Sequence, residues 1–124
     1  MEIREVHPVL RAYDVPATLA FFVDYVGLTL DWQEGELPGP VYLQLSRGPL
    51  RLHVSTHHGD GTPGTVLVLE VSGIKELIEE LHSKQYRFMN PGLEEGPGEN
   101  MLSTELLDPA GNMIRFFERG VRLL

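Results

Sequence analysis

The sequence predicts an α+β protein of two tandem βαβββ modules whose curved mixed sheets surround a concave cavity. Three observations carry this reading. Proline and glycine cut the 124 residues into short segments. Those segments alternate between the two-residue periodicity of strands and the 3.6-residue periodicity of helices. The order of elements then restarts halfway. A shift of 59 residues lays Val9-Leu10 on Val68-Leu69, Val15 on Ile74, Leu19 on Ile78 and Phe22 on Leu81. Neither half can bury a sheet alone, so a single domain over 1–124 with a shared core is expected. Its modules would cover about 1–58 and about 64–124.

In the first half, Ile3 to Tyr13 reads as a strand, with Pro8 pointing to a sheet edge or a strand start. Asp14 caps a helix and Pro16 occupies its first turn. Leu19, Phe22, Val23 and Val26 form the apolar stripe, and Gly27 ends the helix. Leu28 to Gln33 is a second strand, and the stretch from Glu34 to Pro40 is rich in turn residues. Val41 to Ser46 and Leu50 to Thr56 form a hairpin around Arg47-Gly48-Pro49. His57 to Gly64 is a loop, because its glycines suit nothing else.

In the second half, Thr65 to Val71 is a strand. Ile74, Leu77, Ile78 and Leu81 hold the spacing of an amphipathic helix. Tyr86 to Met89 is expected as a short strand and Asn90 to Asn100 as a loop. Met101 to Leu107 and Met113 to Glu118 close the fold as a hairpin around Asp108-Pro109-Ala110-Gly111-Asn112.

Composition excludes several classes. The absence of cysteine removes disulfides, thiolate catalysis and cysteine-based zinc or iron–sulfur sites. Glu2, Arg4 and Glu5 break up any leader-like start, and no apolar run nears the ~18 residues of a membrane span, so a cytoplasmic protein is expected. A net charge of −8 repels a phosphate backbone and favours a cationic ligand.

The motifs carry a resemblance. His7-Pro8-Val9-Leu10-Arg11-Ala12-Tyr13-Asp14, followed by Phe21-Phe22-Val23-Asp24-Tyr25-Val26-Gly27-Leu28, looks like the first strand and helix end of one superfamily. That superfamily comprises the vicinal-oxygen-chelate proteins: glyoxalases, bleomycin-resistance proteins and extradiol dioxygenases. Asp108 to Asn112 resembles its Asp-Pro-x-Gly-Asn turn, and His57-His58-Gly59-Asp60 with Pro63-Gly64 resembles a loop of its bleomycin-resistance branch. The resemblance covers essentially the whole chain. It implies a homodimer and a small-molecule ligand, such as a cationic glycopeptide antibiotic.

Metal-using members place ligands on the first and last strands of each module. The resemblance puts one slot at His7, its second-half counterpart at Val66, and another at Arg115, seven residues after Asp108. The fourth slot falls on the 50–54 strand, where Leu50, Leu52 and Val54 share a face. Valine has no donor and guanidinium repels a divalent cation. One ligand of four cannot hold a catalytic metal, so neither a metal nor another cofactor is expected. His57, His58 and Asp60 are read as loop structure or ligand contacts, since adjacent histidines diverge and Asp serves local hydrogen bonds in glycine-rich turns.

Alternation places His7, Val9 and Arg11 on the cavity side, with Val66, Val68 and Glu70 in the second half. Ser103, Glu105 and Leu107 share a face, as do Arg115 and Phe117. The charges can pair internally, as Arg11 with Glu70 and Glu105 with Arg115, or meet a polar ligand. Trp32 can stack on a flat ligand or close the core. Tyr42 is a further candidate, His53 is assigned a structural or interface role, and Glu118 is read as a strand-end surface charge. No nucleophile, base or metal set stands out, so no catalytic residue is assigned. The preferred reading is a binder using His7, Arg11, Trp32, His57, His58, Asp60, Glu70, Glu105, Arg115 and Phe117, with neither nucleic acid nor membrane as partner. The alternative is a lyase or isomerase with Glu105 or Glu70 as base.

Overall fold

The computed structural model describes residues 1–124 and divides the chain into two compact units. The first is Met1–Thr65 with Asp108–Asn112; the second is Val66–Leu107 with Met113–Leu124.

The first unit carries β1 (Val9–Arg11), α1 (Val15–Leu19), a π-helical continuation (Ala20–Tyr25), β2 (Thr29–Glu34), β3 (Tyr42–Arg47) and β4 (Leu50–Ser55). Its sheet runs β1-β4-β3-β2, with β1 parallel to β4 and the other pairs antiparallel. Asp14 caps α1, its carboxylate accepting from the Ala17 N–H at 3.0 Å. The π continuation is why the helical stripe differs from the expected one. Its longer turn, seen in Val26 N–H donating to the Phe21 carbonyl at 2.9 Å, shifts the phase. Phe21 and Tyr25 are therefore fully buried beside Phe22 and Val26, while Leu19 and Val23 are only partly so. Leu10, Leu43, Leu45, Leu52 and Val54 supply the buried face of the sheet.

Strand β1 is shorter than expected. Residues 1–8 form no regular element, although the Pro8 carbonyl still accepts from the His53 N–H at 2.9 Å. Proline offers no N–H to extend the ladder, and β1 lies at the sheet edge, as Pro8 implied.

The second unit repeats the plan with β5 (Val66–Glu70), α2 (Ile74–Ser83), β6 (Glu94–Glu95), β7 (Met101–Leu107) and β8 (Met113–Arg119). Its sheet order is β5-β8-β7-β6, again with the first pair parallel. The four residues of the predicted α2 stripe are the four that are buried. The expected strand at Tyr86–Met89 is absent. Gln85 takes a left-handed backbone (φ +51°) and the chain turns there, so the second strand of this module is β6, inside the expected loop. Both halves are nonetheless βαβββ modules, as the internal repeat predicted.

Candidate functional site

The first unit presents a polar and aromatic face opposite its buried one. Strand register sets it out in rows. Val9 lies beside His53, His53 beside Gln44 and Gln44 beside Trp32; one step on, Arg11, Ser55, Tyr42 and Glu34 form the next row. A break in register between Leu30 and Trp32 inserts Asp31 as an extra residue, so both Asp31 and Trp32 reach this side.

Hydrogen bonds tie the face together. His7 Nδ1 lies 3.1 Å from His53 Nε2, and His7 Nε2 lies 3.4 Å from a Glu5 carboxylate oxygen. Gln44 Oε1 is 3.0 Å from His53 Nε2, and the Tyr42 hydroxyl is 2.7 Å from His53 Nδ1. The Asp31 carboxylate accepts from Gln44 Nε2 at 3.0 Å and from Ser46 Oγ at 2.9 Å, and these bonds hold its pKa below the usual carboxylate value. Burial, reinforced by His7, lowers the pKa of His53 and favours neutral imidazole. Burial, with the carboxylates of Asp60 and Glu34, raises that of Tyr42 and keeps it a phenol.

Trp32 stacks on Tyr42 with ring centroids 5.9 Å apart and planes 10° apart, and meets His53 edge-on at 5.5 Å. It is 39% exposed, so it does not close the core. Nearby, the His57 ring approaches Tyr42 at 6.4 Å, while His58 is exposed. Asp60 accepts from Ser55 Oγ at 2.8 Å, the local bond expected of Asp in such a loop. Arg11 donates to the His57 carbonyl and lies over the Tyr13 ring at 5.1 Å. Its guanidinium is thus held by the loop.

In the second unit, Arg115 pairs with Glu105 at 3.0 Å, as one of the two proposed ion pairs required. Glu70 pairs instead with Arg119 at 3.1 Å. Strand register places Phe117 between Glu70 and Ser103, on the same face as Arg115 and Glu105. Glu105 and Glu70 are both committed to arginines, which weakens either as a general base.

Three assignments change. His53 is no bystander: Leu52 and Val54 point into the core, so the β4 slot on the His7 side is His53. The same alternation that put Leu10 in the core applies to Leu52 and Val54, and the parallel β1–β4 register would have exposed this. Tyr42 enters the site together with Gln44 and Asp31, because their contacts arise across strands. Glu118 is not a loose surface charge. It accepts from the Gly73 and Ile74 N–H groups at 3.0 and 2.9 Å, capping α2, whose own N-cap glycine has no side chain to do so.

With His53 in its slot, the first unit offers two imidazoles at the metal-ligand positions, while the second unit has Val66 and Arg115 at its counterparts. The two imidazoles hydrogen-bond each other. No group of three or more His, Cys, Asp or Glu side chains is arranged to hold a metal ion. This donor set does not fit the metal centre known in the wider superfamily.

The chain thus combines two βαβββ modules, the first of which carries an aromatic and histidine-lined sheet face. The chain belongs to the glyoxalase superfamily, whose model, described as a glyoxalase superfamily protein, matches residues 1–121. Among solved structures it is similar to the bleomycin-binding protein of Streptomyces verticillus complexed with copper(II)-bleomycin. That pair shares 27% identity over 94% of this chain and 96% of the other, with a TM-score of 0.65. It is also similar to the bleomycin resistance determinant encoded on transposon Tn5, at 20% identity over 96% and 100% of the chains and a TM-score of 0.73. A third likeness is to TnmS3, an antibiotic binding protein from Streptomyces sp. CB03234, at 17% identity over 96% and 98% and a TM-score of 0.72. No curated protein matches the chain. No helix is long and apolar enough to cross a membrane.

Proposed function

We propose that this protein is a metal-free binder of the bleomycin-resistance type, which sequesters a cationic or aromatic small molecule in a cleft at a homodimer interface. The observation that carries the reading is the half-exposed Trp32 stacked on Tyr42, backed by the hydrogen-bonded His7 and His53. A flat ligand can lie on the indole while polar groups of the sheet orient it. Charge supports the same ligand class. The net charge of −8 attracts cations. Sequestration needs only such a surface, and the bleomycin-binding protein of Streptomyces verticillus is a relative of this kind by its description.

Titration of the full chain with bleomycin and with an anionic glutathione thioester, each at low and high salt, tests this. Bleomycin is expected to change the fluorescence of Trp32, the single tryptophan, with affinity falling as salt rises. Binding of the thioester alone, abolished by Arg115→Ala, would overturn the proposal in favour of an enzyme acting on an anionic substrate.

A further inference from the structure

The hydrogen-bond polarity of the Trp32–Tyr42 face follows from Asp31, one bond at a time. A carboxylate only accepts, so Gln44 must present its amide N–H₂ to Asp31. Its carbonyl oxygen therefore faces His53 Nε2, which must carry a proton to meet it at 3.0 Å. The same N–H is shared with His7 Nδ1 at 3.1 Å, so that nitrogen is bare and His7 carries its proton on Nε2, towards Glu5 at 3.4 Å. A neutral imidazole protonated on Nε2 is an acceptor at Nδ1. The Tyr42 hydroxyl at 2.7 Å must then donate to it. Every donor in the chain has an acceptor, and the His53 Nε2–H serves two. Its end result is a phenol whose only proton is turned to His53, so that the oxygen has lone pairs and no proton to offer a ligand.

We propose that this face selects ligands that donate a hydrogen bond to the Tyr42 oxygen, and that Asp31 is the positioning residue that imposes the selection through Gln44 and His53. The inference rests on the ligand-binding reading above and narrows it. The favoured molecule is a flat aromatic bearing an N–H, whereas one of the same shape that offers only acceptors meets a Tyr42 oxygen with no proton to give. The negative charges of Asp60 and Glu34, which are felt at the Tyr42 hydroxyl, favour a donor for the same reason.

Two measurements on the full chain test it. The first is long-range proton–nitrogen correlation on protein labelled in its histidines, which reports the tautomer directly. His53 is expected to show a protonated Nε2 and a bare Nδ1; the reverse would overturn the relay. The second uses carbazole and dibenzofuran, which have nearly the same shape but present an N–H and a bare oxygen respectively. Binding is followed by the single indole N–H resonance of Trp32. Carbazole is expected to bind about five-fold more tightly, the worth of one ordinary neutral hydrogen bond. Tyr42→Phe should bring the two affinities to parity. Asp31→Asn should shrink the preference and populate the second His53 tautomer, because an asparagine can donate to the Gln44 carbonyl and release the amide to turn over. Equal binding of the two compounds by the wild-type chain, or a response to bleomycin with none to carbazole, overturns the selection and leaves the binding reading standing. Silence of the indole resonance towards all three compounds overturns the binding reading, and the selection with it.

Discussion

Two residues show how much hangs on single side chains here. Asn112 is fully buried, and its amide donates to the Arg11 carbonyl and the Asp108 carboxylate, both at 2.9 Å, while its oxygen accepts from the Thr65 N–H at 3.3 Å. It pins three separate stretches of the first unit. Asn112→Ala should cost about 3 kcal/mol, since it strands buried polar groups and opens a small void. A lower urea midpoint at unchanged slope would show it. The exposed Glu105–Arg115 pair offers the contrast, and Glu105→Gln should cost under about 1 kcal/mol. His53 makes stability depend on pH. Burial disfavours its imidazolium, so the unfolded chain takes up the proton first, near the ordinary value of 6.5. Its contribution is complete above that value and is lost as pH falls from there through the lower folded-state pKa. Urea midpoints should therefore drop below pH 6.5, and His53→Gln should flatten that part of the profile.

At the scale of elements, local signals suffice wherever one segment holds the whole message. The Asp14 cap, the α2 stripe and the closing hairpin were all legible because their partners lie within a few residues. The π continuation of α1 was not, since an extra residue per turn is decided by how Phe21 and Tyr25 pack. The cap of α2 was illegible for a different reason. Gly73 announces an unsatisfied helix start, but the acceptor comes from Glu118, which is distant in sequence. Glu118→Ala should destabilise the protein by about 1 kcal/mol and speed amide exchange at Gly73 and Ile74, while Glu118→Gln, which keeps an acceptor, should lose less. Unchanged exchange in the alanine variant would show that solvent serves the helix start equally well.

At the scale of the molecule, the two units each carry sheet edges and exposed apolar side chains, among them Leu30 and Trp32 in the first and Val66, Val68 and Leu107 in the second. Val66 and Leu107 flank Met113 in register, so the second sheet presents an apolar row on one side. Such surfaces are usually covered in a working protein. The proposed homodimer would do so, and light scattering at micromolar concentration should give twice the mass of the single chain. The mass of one chain would remove the interface cleft from the proposed function, while leaving the Trp32–Tyr42 face as the candidate site.

The repeat and the βαβββ order follow from the sequence alone, because hydrophobic periodicity and turn chemistry are properties of neighbouring residues. The candidate site was another matter. Trp32, Tyr42, Gln44 and His53 come from three strands, only sheet register brings them into rows, and His7 joins them from the segment before β1. A one-residue bulge decides where Asp31 and Trp32 point, and a slip of one residue in β4 would exchange His53 for Leu52. Register is set by pairing over long separations, which no local pattern encodes. The direction of every hydrogen bond from Asp31 to Tyr42 depends on it, and so does the chemistry this face can offer a ligand.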